Sequence, residues 1–294
     1  MTPEVHLVNV FPSTARGGNP APTVAVANGM SDADMQKVAR DSGHECGFVF
    51  TPHAGSEFDY VLRFWVPNHE MEMCGHATVG AIWLLDRLGL LHKDRLLLST
   101  RSGPVEARLS GAGTADVQVE ISQPKGSVET LSDPEIEAQI LSVLGITANE
   151  LAPLPIQNAC TSRVKTLIAL KSVAVLDGLK PDFRRMQQLC ESIGSTGLYP
   201  YAASDLDGRQ FDARQFPKSS GYPEDAATGI AAAALAFGLL ANQLVTADDR
   251  PVYIRQGRAM GRPSQISLRF RRDAAEQVAG CWLGGQVAFV EEHA

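Results

Sequence analysis

Two stretches of small residues lead into apolar helices: Glu72-Met73-Cys74-Gly75-His76-Ala77-Thr78 and Glu224-Asp225-Ala226-Ala227-Thr228-Gly229. The first turn of a helix carries backbone N–H groups without intrahelical acceptors, and the helix dipole adds partial positive charge there. Such a loop suits an anion, and glycine and alanine let a ligand approach the backbone closely. Two such starts facing each other across a domain cleft would hold a small carboxylate. The same spacing is equally that of plain helix caps against a tight sheet wall. The five cysteines, Cys46, Cys74, Cys160, Cys190 and Cys281, are odd in number and contain no CxxC pair. That pattern predicts reduced thiols in the cytoplasm, with neither a disulfide framework nor a zinc site.

The elements that must present these loops are mostly short strands. Val5–Phe11, Thr23–Ala27, Gly47–Thr51, Tyr60–Val66, Arg95–Thr100, Val105–Leu109 and Val117–Ile121 read as strands in the first half. Val164–Leu170, Val252–Arg255, Gln265–Phe270, Val278–Leu283 and Gln286–Val290 do so in the second. Amphipathic helices are predicted over Asp32–Asp41 after Ser31, from Pro134 to Leu144 after Asp133, and over Arg184–Ile193. Thr147 with Glu150 has the spacing of a capping box.

Two further helices, from about Gly75 to Leu88 and from about Thr228 to Ala241, are apolar almost all round. A helix of that kind must be surrounded on every side. In a strand-rich chain, a curved sheet wrapped round it does this. An offset of 152 residues lays Trp83 on Leu235 and Leu85 on Phe237, a weak internal repeat with one buried helix in each half. The expected fold class is therefore α+β, with two pseudo-symmetric domains of a curved, mostly antiparallel, barrel-like sheet round a central apolar helix. The boundary is placed near residue 125, giving domains 1–125 (with the last strand of the chain as a possible addition) and 126–294.

A chain of 294 residues is consistent with two domains. Its net charge of −7 disfavours nucleic acid, which is held chiefly through cationic contacts to phosphates. Met1–Phe11 alternates like a strand and lacks a signal-peptide pattern, and the longest apolar run, Ile230–Ala241, is too short to span a bilayer. The expectation is a cytoplasmic protein acting on a small molecule, with neither a nucleic-acid nor a membrane partner.

Six strings resemble, in order, the PhzF-like phenazine-biosynthesis family. They are Phe11 with Gly18-Asn19-Pro20; Gly43-His44-Glu45-Cys46-Gly47-Phe48-Val49; Arg63-Phe64-Trp65-Val66-Pro67-Asn68-His69-Glu70 with Cys74-Gly75-His76-Ala77-Thr78; Arg214-Gln215-Phe216-Pro217; Gly221-Tyr222-Pro223-Glu224-Asp225-Ala226-Ala227-Thr228-Gly229; and Gln256 through Ser264. The resemblance implies a diaminopimelate epimerase-like fold shared with proline racemase, an active site in the cleft between domains, a homodimer, no metal or organic cofactor, and acid/base chemistry beside a carboxylate or carbonyl. It implies that Glu45 is the catalytic acid/base, aided by His76 and Asp225. Asn19, Cys74, Gly75, Thr228, Gly229 and Ile230 would bind substrate, with His44 as a further pocket liner. A carboxyl shielded from water beside Phe48 would favour its protonated form.

The resemblance has departures. The family's second loop usually has Pro after the Asp and Ser after the Gly, where this chain has Ala226 and Ile230. Loss of that hydroxyl implies a substrate other than the dihydro-hydroxyanthranilate of the phenazine pathway. Cys46, following Glu45, is expected to alter the pocket edge. Racemases of the same fold use one cysteine per helix start; Cys74 matches the first, but the second loop has none. An epimerase using Cys74 with another acid, and a silent metabolite-binding member, are the alternatives to an isomerase. A small packing residue is the plain alternative for Cys74 itself.

Overall fold

The computed structural model describes residues 3–204, 208–219 and 222–290; Met1, Thr2 and Gly221 of the segments quoted above lie outside it. The chain forms two compact units, one running to Ser122 and resuming at Leu283, the other Gln123–Trp282.

In the first unit, helix α1 (Asp32–Ser42) is set by a capping box between Ser31 and Asp34 and stopped by Gly43 at φ 67°. Helix α2 (Gly75–Arg87) is buried from Gly75 through Leu85. Strand His6–Val10 pairs antiparallel with Asn19–Val24, which runs parallel to Cys46–Phe50; that strand pairs antiparallel with Tyr60–Trp65. Tyr60–Trp65 lies parallel to Arg95–Thr100, which pairs antiparallel with Gly103–Ser110. The last strand, Val287–Phe289, adds to His6–Val10.

The second unit repeats this sequence of pairings. Gln157–Cys160 is antiparallel to Val164–Ala169, which is parallel to Gly197–Ala203, itself antiparallel to Gln210–Ala213. Gln210–Ala213 is parallel to Val252–Gln256, which is antiparallel to Ser264–Arg272. Helices α3 (Pro134–Leu144), α4 (Val173–Gly178) and α5 (Phe183–Ser192) join Ile168, Leu170, Leu198 and Phe216 in one apolar cluster. The opposite face of the strands holds α6 (Gly229–Ala241), buried from Ala231 through Leu239. A Cβ on Gly238 would stand 2.3 Å from Leu167 Cδ1, so glycine is what allows α6 to lie this close to its sheet.

The two central helices match the expected buried pair, with a corrected register. Their first and last residues are 154 positions apart (Gly75 to Gly229, Arg87 to Ala241), not 152. The expected strand Thr23–Ala27 starts earlier, at Asn19, despite Pro20 and Pro22. Over Asn19–Pro22 it pairs with His6–Val10 alone, so N–H groups missing from its other side cost nothing. Strand Gly197–Ala203 escapes the sequence pattern because Pro200 interrupts it. Among the described residues no helix is long and apolar enough to cross a membrane.

Candidate active site

The first set of groups gathers at the start of α2. Strand alternation puts Cys46 and Phe48 on the face turned to α1, in a cluster with Met35, Ala39 and Trp65. Gly47 faces the other way, where an added Cβ would lie 3.6 Å from the Ala77 carbonyl of α2. Glu45, just before this strand, reaches the same helix: the Cys74 thiol donates to Glu45 Oε2 at 3.1 Å. Cys74 Sγ is also 3.4 Å from His76 Nδ1, which lies 3.7 Å from the same carboxylate oxygen. With the thiol proton directed at Glu45 Oε2, the His76 contact calls for a proton on Nδ1, giving a chain from imidazole to thiol to carboxylate.

These positions correct three expectations. Phe48 is not the wall beside Glu45, because it points to the opposite face of its strand. Cys46 is likewise a core residue there; burial pushes its thiol up to about 11, and it contacts Ser42 Oγ at 3.1 Å. Glu45 is only partly shielded, with a quarter of its side-chain surface exposed, whereas Cys74 and His76 are buried. Cys74 does more than pack, since its sulfur lies between two titratable groups.

The second set lies at the start of α6. Thr228 Oγ1 donates to Asp225 Oδ2 at 2.5 Å. Gln256 binds both ends of the loop: its amide nitrogen donates to the Asp225 carbonyl at 2.6 Å and to Thr228 Oγ1 at 3.1 Å, and its oxygen accepts from Thr228 N at 3.3 Å. That oxygen also accepts from Tyr199 at 2.9 Å. Burial, and then the charge of Asp225, hold the Tyr199 hydroxyl well above its ordinary pKa, so it remains a donor. Gly257, at φ 78°, has no space for a side chain: an added Cβ would be 2.7 Å from the Ala226 carbonyl.

The same brace precedes each central helix. Arg63 forks onto Glu70 at 2.6 and 2.8 Å, and Arg214 onto Glu224 at 2.8 and 2.7 Å. Bidentate pairs of this kind fix geometry as well as charge. They tie down the chain that leads into each quoted loop. Helices α1, α3, α4 and α5 all have side-chain caps from Ser31, Asp133, Ser172 and Asp182; α2 and α6 have none. Neither has an acidic residue in its first turn. Helix geometry therefore leaves the first amides of both, at Gly75 and His76 and at Gly229 and Ile230, without intrahelical acceptors.

The structure thus brings Glu45, Cys74, Gly75 and His76 together, and separately Asp225, Thr228, Gly229 and Ile230. Asn19 stands at the head of its strand, opposite Val10, and His44 is exposed. Sequence reasoning missed Gln256 and Tyr199 as site residues. Gln256 heads one of the quoted strings, so its signal was there without a role; Tyr199 gave none beyond a short aromatic run. Ligand atoms of Glu45, Cys74 and His76 all lie within 4.8 Å of one another, a set whose donors would also accept a zinc-like cation.

The family model for phenazine biosynthesis-like proteins matches residues 8–293. Trans-2,3-dihydro-3-hydroxyanthranilate isomerase of Pseudomonas aeruginosa is 30% identical over 290 residues, covering 98% of each chain. A phenazine biosynthesis protein of the PhzF family from Bacillus anthracis superposes with a TM-score of 0.86 at 22% identity, over 98% of this chain and 96% of that one. A probable proline racemase from Agrobacterium radiobacter K84 shares the fold at a TM-score of 0.63 and 11% identity, over 97% and 90%. The architecture is the expected diaminopimelate epimerase-like one.

Proposed function

We propose a function from one fixed premise: the chain belongs to the phenazine biosynthesis-like protein family and is an isomerase. In our reading Glu45 takes a proton from a carbon beside a carboxylate or carbonyl of a small metabolite and returns it at another carbon. No metal or organic cofactor takes part. The observation that carries this is the placement of Glu45 Oε2 at 3.1 Å from Cys74 Sγ, at the uncapped start of α2. A carboxylate that accepts one hydrogen bond there keeps capacity to accept a carbon-bound proton. Within each unit the helix-start amides, Gly75 and His76 in one and Gly229 and Ile230 in the other, suit negative charge that develops on a substrate oxygen. Asp225, held by Thr228, orients the substrate or the moving proton.

The Pseudomonas relative is named for a cyclic hydroxy acid. The sequence resemblance implies a hydroxyl-bearing residue where this chain has Ile230, which supports a different substrate of the same carbon-acid kind. The test is proton NMR of a panel of small cyclic and acyclic carboxylates, trans-2,3-dihydro-3-hydroxyanthranilate among them, in deuterated water. Site-specific deuterium uptake or a new isomer is expected, falling at least 10²-fold in Glu45→Gln while ligand binding persists. Near-normal exchange in that variant removes Glu45 from the mechanism.

One observation favours a second reading. The Cys74 sulfur contacts both Glu45 and His76, so it is placed to exchange protons itself. Uptake that requires Cys74 and scrambles a single stereocentre would make the enzyme an epimerase.

A further inference from the structure

Two buried polar side chains near the start of α6 have no role in the reaction just described. Along strand Val164–Ala169, Leu167 packs against Gly238 of α6, whereas Ile168 belongs to the cluster on the other face. Alternation therefore turns Lys165 to the α6 side. Position along the helix follows from the strand partners. Gln157, opposite Leu167, exchanges hydrogen bonds with Asn242 at the far end of α6, at 2.8 and 3.3 Å. Tyr199, beside Leu167 on the neighbouring strand, reaches Gln256 and so the helix start. Lys165, one inward-facing step before Leu167, lies beside Gly197 of that neighbouring strand, and it senses the charge of Asp225.

Gln215 comes to the same place from the opposite direction. It forms an isolated antiparallel bridge with Asp225, its carbonyl accepting from Asp225 N at 3.1 Å. Directly opposed residues of such a bridge project their side chains to one side. The Gln215 amide nitrogen lies 2.4 Å from where a Cβ on Gly197 would be, so it covers that glycine. The parallel register, Thr166 with Leu198, makes Gly197 the neighbour of Lys165. Gln215 is 1% exposed and Lys165 5% exposed. Among the described residues, neither the amide oxygen nor the amide nitrogen of Gln215 has a hydrogen-bond partner. Buried amides are nearly always paired, so this one has the capacity to take a bound ligand or an ordered water as its partner.

We propose that Lys165 and Gln215 form a specificity subsite that takes a second carboxylate of the substrate, beyond the one fixed by the helix-start amides. This rests on the isomerase reading and names its substrate class: small dicarboxylates. Lys165 supplies the cation and Gln215 Nε2 a directed donor. Gln215 Oε1 remains to accept from a hydroxyl or amino group on the same molecule. Charge and hydrogen-bond capacity at this point are wasted on a monocarboxylate.

The experiment is isothermal titration of malonate, succinate and the matching monocarboxylates, propionate and butyrate, into wild type, Lys165→Met and Gln215→Met. Wild type is expected to bind a dicarboxylate at least tenfold tighter than the monocarboxylate of equal chain length. Lys165→Met should bring that ratio below about twofold with monocarboxylate affinity unchanged. Gln215→Met, which keeps a side chain of similar length over Gly197, should lower it by about threefold and gives the answer should Lys165→Met fold poorly. Equal binding of mono- and dicarboxylates by wild type, or a ratio that survives both substitutions, overturns the proposal. The measurement needs no turnover, so loss of the Glu45 reading and loss of this subsite are separate results.

Discussion

The two helix starts share a backbone and differ in what surrounds it. Both are 13-residue buried helices that begin with glycine, lack a side-chain cap and follow a loop braced by an arginine–glutamate fork. Around the first stand a carboxylate, a thiol and an imidazole, each in reach of the next. Around the second a single carboxylate is tied to a threonine, a glutamine and a tyrosine that hold one another. A chain of three titratable groups can pass a proton along; one carboxylate tied into neutral donors and acceptors holds its geometry still. In the reading proposed above, the first helix start is the place for chemistry and the second the place for recognition.

Cys74 offers the largest break in that comparison after Glu45 itself. Cys74→Ala removes the middle of the imidazole–thiol–carboxylate chain. In the isomerase reading Glu45 remains the base, and kcat is expected to fall less than tenfold, with deuterium uptake at the same carbon. In the epimerase reading the loss exceeds 10²-fold, the ordinary contribution of a positioned acid/base group. The same three groups bear on metal. Steady-state rates of wild type measured before and after exhaustive chelation should agree; a loss restored by zinc would make Glu45, Cys74 and His76 ligands rather than a proton chain.

Much of the first site was legible, and less of the second. The two apolar helices announce themselves because nothing amphipathic relieves them, and the glycine-bearing loops before them follow directly. Cys74 and His76 sit at the start of the first helix, so their proximity in space follows from sequence; Glu45, 29 residues before Cys74, was legible only through the family resemblance. The second network draws on Tyr199, Asp225 and Gln256, which meet only through the pairing of strands with proline in or near them. Residue type gave no warning either: a glutamine at a strand end and a tyrosine in a proline-interrupted run look like filler. The errors about Phe48 and Cys46 have a simple cause. Neighbours in sequence on a strand point to opposite faces, so the residue after Glu45 cannot edge its pocket.

Lys165 sharpens the comparison through pH. Burial lowers its pKa to about 8 from 10.5, with the charge of Asp225 opposing that shift and Arg163 adding to it. Between about pH 8 and 10.5 the unfolded chain then holds a proton that the folded chain has lost, so this group makes folding more favourable as pH rises. Below pH 8 the charged form is carried at a cost on the order of 3 kcal/mol at most. Other groups work the opposite way in this window: burial pushes the thiols of Cys190 and Cys281 up to about 11 and 12, and the Tyr201 hydroxyl to about 12. The difference between wild type and Lys165→Met isolates the lysine. Urea unfolding should show the variant more stable at pH 7, with the gap closing by pH 10. A gap that does not change with pH would mean that Lys165 is not buried as a charge.

Ile230 carries the smallest expected effect and tests how the recognition half has been tuned. It is the second residue of α6 and half-buried, at the position where the resemblance drawn from the sequence implies a serine. Ile230→Ser restores a hydroxyl beside two helix-start amides without altering the Asp225–Thr228–Gln256 network. One added hydrogen bond contributes about 0.5–1.5 kcal/mol, or roughly two- to tenfold in affinity. The gain should fall on ligands that offer an oxygen at that point, such as trans-2,3-dihydro-3-hydroxyanthranilate, and leave malonate unmoved. Because the residue makes no contact with Glu45 in the reading above, the change should enter KM and spare kcat. A change in kcat instead would place the second helix start in the proton transfer itself, and the division between a chemical half and a binding half would have to be redrawn.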